Sequence, residues 1–279
     1  SAASAPAASQ AFLGSDAEGI CREDGGASGY RLRHPHLLEA LLEDLVSPEL
    51  WEALGGGCKA LLALARCEFE DVFSVPLLRP SACALLRDEA EAFRAWALAS
   101  GLASPGLLLS ARWYFKQMDS RYDAFFQRLL QHVVRPLDAA FYGHTSPLTY
   151  HHDYGICYEE GADRKLKPHC DDTDVTVNIF LGASAGSAHR GAELLLLEPT
   201  PEDVRCGTPR LDEDYRGTMR QYEHEELGRA VIHPGERWHA VQPLQSGSRW
   251  NLLMWTLRDD QEWKKGFYGE MGDYLRAKA

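Results

Sequence analysis

The spacing of apolar residues changes about halfway along the chain. From Pro35 to about Trp96 it is helical. Leu37, Leu38, Leu41, Leu42 and Leu45 fall on one stripe, and Ser47-Pro48 reads as an N-cap followed by the first residue of a second helix. Gly55-Gly56-Gly57 ends or interrupts that helix. Residues 69–75 alternate and stop at Pro76, which predicts a first strand, and Pro80-Ser81 opens a helix running to Trp96. A longer helix is predicted over 122–137, where Tyr122, Phe125, Phe126, Leu129, Leu130, Val133, Val134 and Leu137 keep an i, i+3, i+4 spacing. Beyond Tyr142 the period becomes two. Short strands are predicted at 148–157, 175–181, 192–197, 230–232, 238–241 and 250–257, separated by Gly, Pro and Asp turns. Helices first and many short strands afterwards predict an α+β chain, with a sandwich or jelly-roll barrel that carries helices on its outside.

Four segments are expected. Residues 1–27, rich in Ala, Ser, Gly and Pro, have too few large apolar side chains to offset ordering and read as a flexible tail. Residues 28–142 form the helical flank with the first strand, 143–258 the β domain, and 259–279 a C-terminal tail. The charged, Pro- and Gly-interrupted stretch 199–228 reads either as a binding lid or as a disordered insertion.

Composition narrows the function. With 45% apolar and 25% charged residues the chain is neither collagenous nor fibrous. Its 29 Lys and Arg against 41 Asp and Glu, a balance of -12, work against a phosphate backbone, so no nucleic-acid partner is expected. The longest apolar run, Ala60 to Ala65, is far short of the ~20 residues that cross a bilayer, so no membrane span is expected. The seven cysteines are odd in number and include no C-x-x-C pair, which favours buried thiols in a reducing compartment over a zinc ribbon or a disulfide scaffold. A cytoplasmic location is therefore favoured. The chain opens on Ser1, so a leader lost by processing stays open.

Most of the eleven histidines stand alone, but those of the β half cluster: His151-His152-Asp153, His169-Cys170-Asp171, His233 and His239. In an extended segment residues two apart share a face, so His169 and Asp171 can grip one ion while Cys170 points away. Two imidazoles and one carboxylate leave three coordination positions open, the arrangement of non-haem Fe(II) oxygenases. Arg249 lies ten residues beyond His239, across a turn containing Pro243 and Gly247. A guanidinium aimed into a barrel calls for a carboxylate partner.

At these residues the chain resembles the 2-oxoglutarate and Fe(II)-dependent dioxygenases of the prolyl and lysyl hydroxylase branch. Five motifs occur in that branch's order: His169-Cys170-Asp171, Thr176-Val177-Asn178-Ile179-Phe180-Leu181, Gly191-Ala192-Glu193-Leu194, His233-Pro234-Gly235, and the run from His239 to Arg249. The run to Trp255 and Glu223-His224 are most similar to the proteins named only 2-oxoglutarate and iron-dependent oxygenase domain-containing, second type. The likeness covers about 150–257. It implies a double-stranded β-helix (jelly-roll, cupin-like) core with N-terminal flanking helices, and Fe(II) held by His169, Asp171 and His239 as the catalytic centre. It further implies 2-oxoglutarate fixed by Arg249, with Tyr158 and Asn178 as cosubstrate contacts, and L-ascorbate as a helper. O2 and 2-oxoglutarate would hydroxylate a C–H bond of a peptidyl prolyl or lysyl side chain, releasing succinate and CO2.

Small-molecule hydroxylation and a non-catalytic metal sensor are the alternatives. His151 and Asp153 also read H-x-D, but Tyr154-Gly155-Ile156-Cys157 follows in place of the T-x-N strand. Ten residues past His233 stands the uncharged Pro243, so His233 reads as structural or as support for the ligands. Where Phe180 stands, many hydroxylases have a tyrosine, so one hydroxyl contact to the far carboxylate is missing.

Overall fold

The computed structural model describes residues 29–101, 112–160, 165–184, 188–205, 211 and 215–258; the tails expected at 1–27 and 259–279 lie outside them. Glu89, fully buried on a long helix, collects the first described residues. Its carboxylate accepts from the Tyr30 hydroxyl at 2.5 Å and from the backbone N–H of Arg33 (3.1 Å) and His34 (2.8 Å).

The stripe expected to run from Leu37 to Leu45 is two single turns, α1 (His36–Glu39) and α2 (Leu42–Leu45), with Ala40 and Leu41 extended between them. Leu41 is 59% exposed. Arg128 donates to the carbonyls of Ala40 (3.1 Å) and Leu38 (2.8 Å), which satisfies two of the acceptors freed by the interruption. α3 (Pro48–Gly56) starts as expected, with Ser47 Oγ accepting from the Leu50 N–H, and Gly57 at φ 73° separates it from α4 (Cys58–Leu64).

The single strand expected at 69–75 is a hairpin, β1 (Arg66–Phe69) and β2 (Val72–Pro76), turning at Asp71 in the left-handed region. α5 (Pro80–Ala99) follows and buries Ala82, Cys83, Leu86, Ala90, Phe93 and Ala97 at helical spacing. After β3 (Arg112–Trp113) come α6 (Phe115–Met118) and α7 (Arg121–Leu129), then a π turn at Leu130–Val134 and α8 (Arg135–Tyr142). Pro136 has no N–H to offer the preceding turn, and the π turn absorbs that mismatch without ending the rod.

The β half contains β4 (Leu148–Glu159), β5 (Leu166–His169), β6 (Val175–Gly182), β7 (Arg190–Gly191) and β8 (Leu194–Glu198). A short helix α9 (Pro201–Arg205) leads to β9 (Thr218–Tyr222), β10 (Arg229–Pro234), β11 (His239–Val241), β12 (Leu244–Ser246) and β13 (Ser248–Arg258). The pairing is antiparallel throughout. A seven-stranded sheet runs β1-β2-β10-β6-β13-β4-β3, a four-stranded one β5-β11-β8-β9, and β12 pairs with β7. This is the jelly-roll expected, with the helices outside the larger sheet.

Every residue of β6 is buried, because both its faces are covered. Val175, Val177, Ile179 and Leu181 join Trp250, Leu252 and Met254 against the helices in the main core. Thr176, Asn178 and Phe180 face the barrel interior, which also holds Ile156, Tyr158, Ala192, Leu194, Leu196, Tyr222, Val231 and Val241. Arg258, at the end of β13, forms a buried two-pronged pair with Asp138 of α8 (3.1 and 2.7 Å), tying flank to barrel.

Stretch 199–228 is described in part. Its described part includes β9, an edge strand on β8, and ends at Gly228, which accepts from the N–H groups of Leu77 and Leu78 and donates to the Phe180 carbonyl. Cys58, Cys67, Cys83, Cys157 and Cys170 are free thiols, and Cys58, Cys67 and Cys170 are exposed rather than buried; Cys21 and Cys206 lie outside the described residues. Among the described residues, no helix is long and apolar enough to cross a membrane.

Candidate metal and cosubstrate site

The antiparallel pairing of β5 with β11 sets His169 directly opposite His239. Asp171 follows two residues later, in the loop that feeds β6. Its N–H donates to the Gly235 carbonyl (2.8 Å), and its Oδ2 accepts from Thr176 Oγ1 (2.6 Å). The three side chains converge. His169 Nε2 is 3.6 Å from Asp171 Oδ1, His239 Nε2 is 3.8 Å from Asp171 Oδ2, and the three ligand atoms lie within 4.8 Å of one another. No other group of three or more His, Cys, Asp or Glu among the described residues meets that spacing.

Both imidazoles are oriented in the same way. His169 Nδ1 bonds the Lys167 carbonyl at 2.8 Å and His239 Nδ1 the Arg237 carbonyl at 2.9 Å. A carbonyl only accepts, so Nδ1 carries the proton and the Nε2 lone pair is left facing Asp171, as a metal ligand requires. Burial, reinforced by His169, pushes His239 down to about 3, while Asp171 is held below the ordinary carboxylate range: its burial opposes ionisation, but His239 and His169 outweigh it. A neutral imidazole and an ionised carboxylate are the forms that bind a divalent cation.

Gly235 explains part of the His233-Pro234-Gly235 motif. A Cβ there would lie 1.9 Å from the Thr173 carbonyl oxygen and 2.9 Å from that of Asp171. Both belong to the loop carrying Asp171, so Gly235→Ala is expected to displace that carboxylate and weaken metal binding by roughly 10- to 100-fold, as for lost ligand support elsewhere; a metal titration of the variant checks this. His233 stands behind His239, ring centroids 4.8 Å apart, with its Nδ1 on the Pro234 carbonyl (2.8 Å). The H-x-D lookalike is elsewhere. Asp153 pairs with Met254, on the helix-facing side of the sheet, and His151 Nδ1 bonds Asp153 at 2.5 Å.

The second half of the site lies farther along the same interior face. Arg249 is directly opposite Tyr158 and its guanidinium sits 4.8 Å from that ring. It is 1% exposed, donates to the Ala192 carbonyl, and among the described residues has no carboxylate partner and no acceptor for Nε. Burial lowers it to about 10, which leaves it a cation at neutral pH. Asn178 accepts from Asn251 Nδ2 at 2.7 Å. A buried cation with an unused donor fits a dicarboxylate, and a His/Asp/His face with free Nε2 lone pairs fits Fe(II).

Sequence reasoning did not assign Thr176, Asn251 or His224 a role. The first two could have been found by counting in twos from Phe180 and Arg249. His224 enters from the loop after β9, where no period applies. It is 5% exposed, its ring lies 5.6 Å from that of Phe180 and 5.1 Å from that of Tyr222, and burial, then the Arg249 charge, holds it well below the usual imidazole range. Its folded pKa is depressed, so its contribution to stability is complete above the unfolded value of ~6.5 and is lost as pH falls. Between pH 7 and 5, His224→Phe should therefore lose less stability than the parent protein, read from urea midpoints without added metal.

No protein-family profile matches the chain. It is 24% identical over 212 residues to the 2-oxoglutarate and iron-dependent oxygenase domain-containing protein ICU11 of Arabidopsis thaliana, covering 73% of this chain and 50% of that protein. It is 25% identical over 249 residues to the human 2-oxoglutarate and iron-dependent oxygenase domain-containing protein 2, covering 82% of this chain and 63% of that one. The chain thus spans about half to two thirds of the length of these relatives. A solved prolyl-4-hydroxylase of Pseudomonas putida overlays 77% of this chain and 97% of its own, at 16% identity and a TM-score of 0.44. The chain is a relative of the 2-oxoglutarate and iron-dependent oxygenase domain-containing proteins.

Proposed function

We propose that the chain is an Fe(II)- and 2-oxoglutarate-dependent dioxygenase that hydroxylates a C–H bond of a peptidyl prolyl or lysyl side chain, releasing succinate and CO2. Residues 143–258 are its catalytic unit and 28–142 the support. The observation that carries this reading is the pairing of two polar sites on one barrel interior: the converging Nε2 atoms of His169 and His239 with Asp171, and the buried, carboxylate-free Arg249.

His169, Asp171 and His239 would hold the iron, with Thr176 fixing the carboxylate oxygen. Bound iron supplies O2 activation coupled to oxidative decarboxylation of 2-oxoglutarate. Arg249 holds the far carboxylate of the cosubstrate, with Tyr158 packed under the guanidinium, and the Asn178–Asn251 pair lines the path between the two ends. L-ascorbate would be the reductant that keeps the bound metal as Fe(II).

The substrate reading draws support from an aromatic wall beside Asp171. Trp255 pairs with Thr176, its ring stands 5.5 Å from that of Tyr154, and Tyr114 and His152 lie 5.3 Å apart next to them. Such a wall holds an aliphatic ring or chain by its C–H edges. The test is anaerobic titration of Fe(II) and 2-oxoglutarate, followed by O2 and succinate assay with prolyl and lysyl peptides. A weak visible charge-transfer band and peptide-stimulated succinate are expected. No band in intact protein would sink the cofactor reading; succinate stimulated by metabolites alone would replace the peptide with a small molecule.

A further inference from the structure

We propose that His224 is a second donor to the far carboxylate of bound 2-oxoglutarate, working beside Arg249; this rests on the cofactor reading above. His224 is almost entirely inside the barrel, and neither of its ring nitrogens has a hydrogen-bond partner among the described residues. Burying an imidazole in this way costs free energy that a purely apolar ring would not. Arg249 shows the same signature: its Nε is buried and has no acceptor among the described residues. The two are neighbours in the electrostatic sense, since the guanidinium charge acts on the imidazole.

The ring beside His224 explains why a second donor is placed there. Phe180 faces the interior two residues after Asn178 and directly opposite Asn251, but offers no polar atom. His224 lies against that ring and brings the hydrogen-bonding capacity that Phe180 lacks. A neutral imidazole carries one N–H donor, and a carboxylate offers about four lone-pair sites, of which a two-pronged guanidinium contact fills two. The described end of stretch 199–228 thereby acquires a task. β9 anchors it on the smaller sheet at Tyr222, Gly228 anchors it on the larger, and His224 is held between those two fixed points.

The experiment uses the full chain loaded with Zn(II), a redox-inert and diamagnetic stand-in for iron, and compares calorimetric binding of 2-oxoglutarate with that of pyruvate. Pyruvate has the same 2-oxo acid head and no far carboxylate. His224→Phe should weaken 2-oxoglutarate roughly 10- to 100-fold, the range for one hydrogen bond to a charged group, and leave pyruvate within about twofold. His224→Gln, which restores a donor, should recover part of the loss. Equal weakening of both acids would mean a structural role, and unchanged 2-oxoglutarate affinity would mean no contact; either overturns the inference. Should the Phe variant fail to fold, the parent protein labelled with ¹⁵N-histidine decides. An imidazole N–H resonance that shifts with 2-oxoglutarate but not with pyruvate, and is missing in His224→Gln, supports the contact, and its absence removes it. If the parent binds Zn(II) but neither acid, the cofactor reading falls and the inference with it; if it binds 2-oxoglutarate and only the His224 result fails, the cofactor reading stands.

Discussion

Asp171→Asn is expected to abolish Fe(II) binding while leaving the fold intact. The amide keeps the size of the carboxylate and its oxygen can still accept from Thr176 Oγ1, which donates to Asp171 at 2.6 Å. What disappears is the negative charge that a buried divalent cation needs from a site otherwise made of neutral imidazoles. The affinity loss should exceed the roughly 10- to 100-fold that follows from losing an outer hydrogen-bond partner of a ligand. In a thermal scan the metal-free variant should melt close to the metal-free parent, and only the parent should be stabilised by added Fe(II) under anaerobic conditions. Equal stabilisation of both would show that Asp171 is not a ligand.

Arg249→Met is expected to separate stability from cosubstrate binding. Arg249 is 1% exposed and no carboxylate pairs with it among the described residues, so in the ligand-free protein the longer-range charge of Glu193 offsets only part of its burial cost. A methionine of similar length removes that cost, and the ligand-free variant should be at least as stable as the parent. Binding of 2-oxoglutarate should fall by about 2–5 kcal/mol, the range for removing one partner of a buried charge pair. Fe(II) affinity should stay within a few-fold, because the His/Asp/His cluster does not touch Arg249. Metal and 2-oxoglutarate titrations on the same preparation read both quantities. A parallel loss of the two would make Arg249 a structural residue.

The two variants probe features that were legible to different degrees. His169, Asp171 and Arg249 were marked by local order along the chain, because strand period and motif spacing place side chains on a common face. The β6 alternation of Val175, Val177, Ile179 and Leu181 against Thr176, Asn178 and Phe180 followed from the same two-residue period. The helical half was less faithful. The leucine pattern from Leu37 to Leu45 satisfied the helical template, yet Arg128, about ninety residues away, supplies donors to the carbonyls exposed by a break at Ala40 and Leu41. A periodic pattern reports which residues prefer burial, not which distant donor will complete a broken turn. Likewise Asp71 could turn the chain inside an alternating run because β10 and β1 were there to pair with either side of β2.

By itself the sequence determined a helical flank and a half of short strands, because these depend on spacing within short segments, while the jelly-roll and the His/Asp/His and Arg set followed from the resemblance that its ordered motifs carry. Only the tertiary structure decided that His239 stands opposite His169, that backbone carbonyls turn both Nε2 atoms inward, that His151 and Asp153 face away, and that His224 lies buried against Phe180. Those facts depend on which strands become neighbours and on which donors meet which acceptors across long separations in the chain. Pairing energies of that kind are collective, and no single segment carries them.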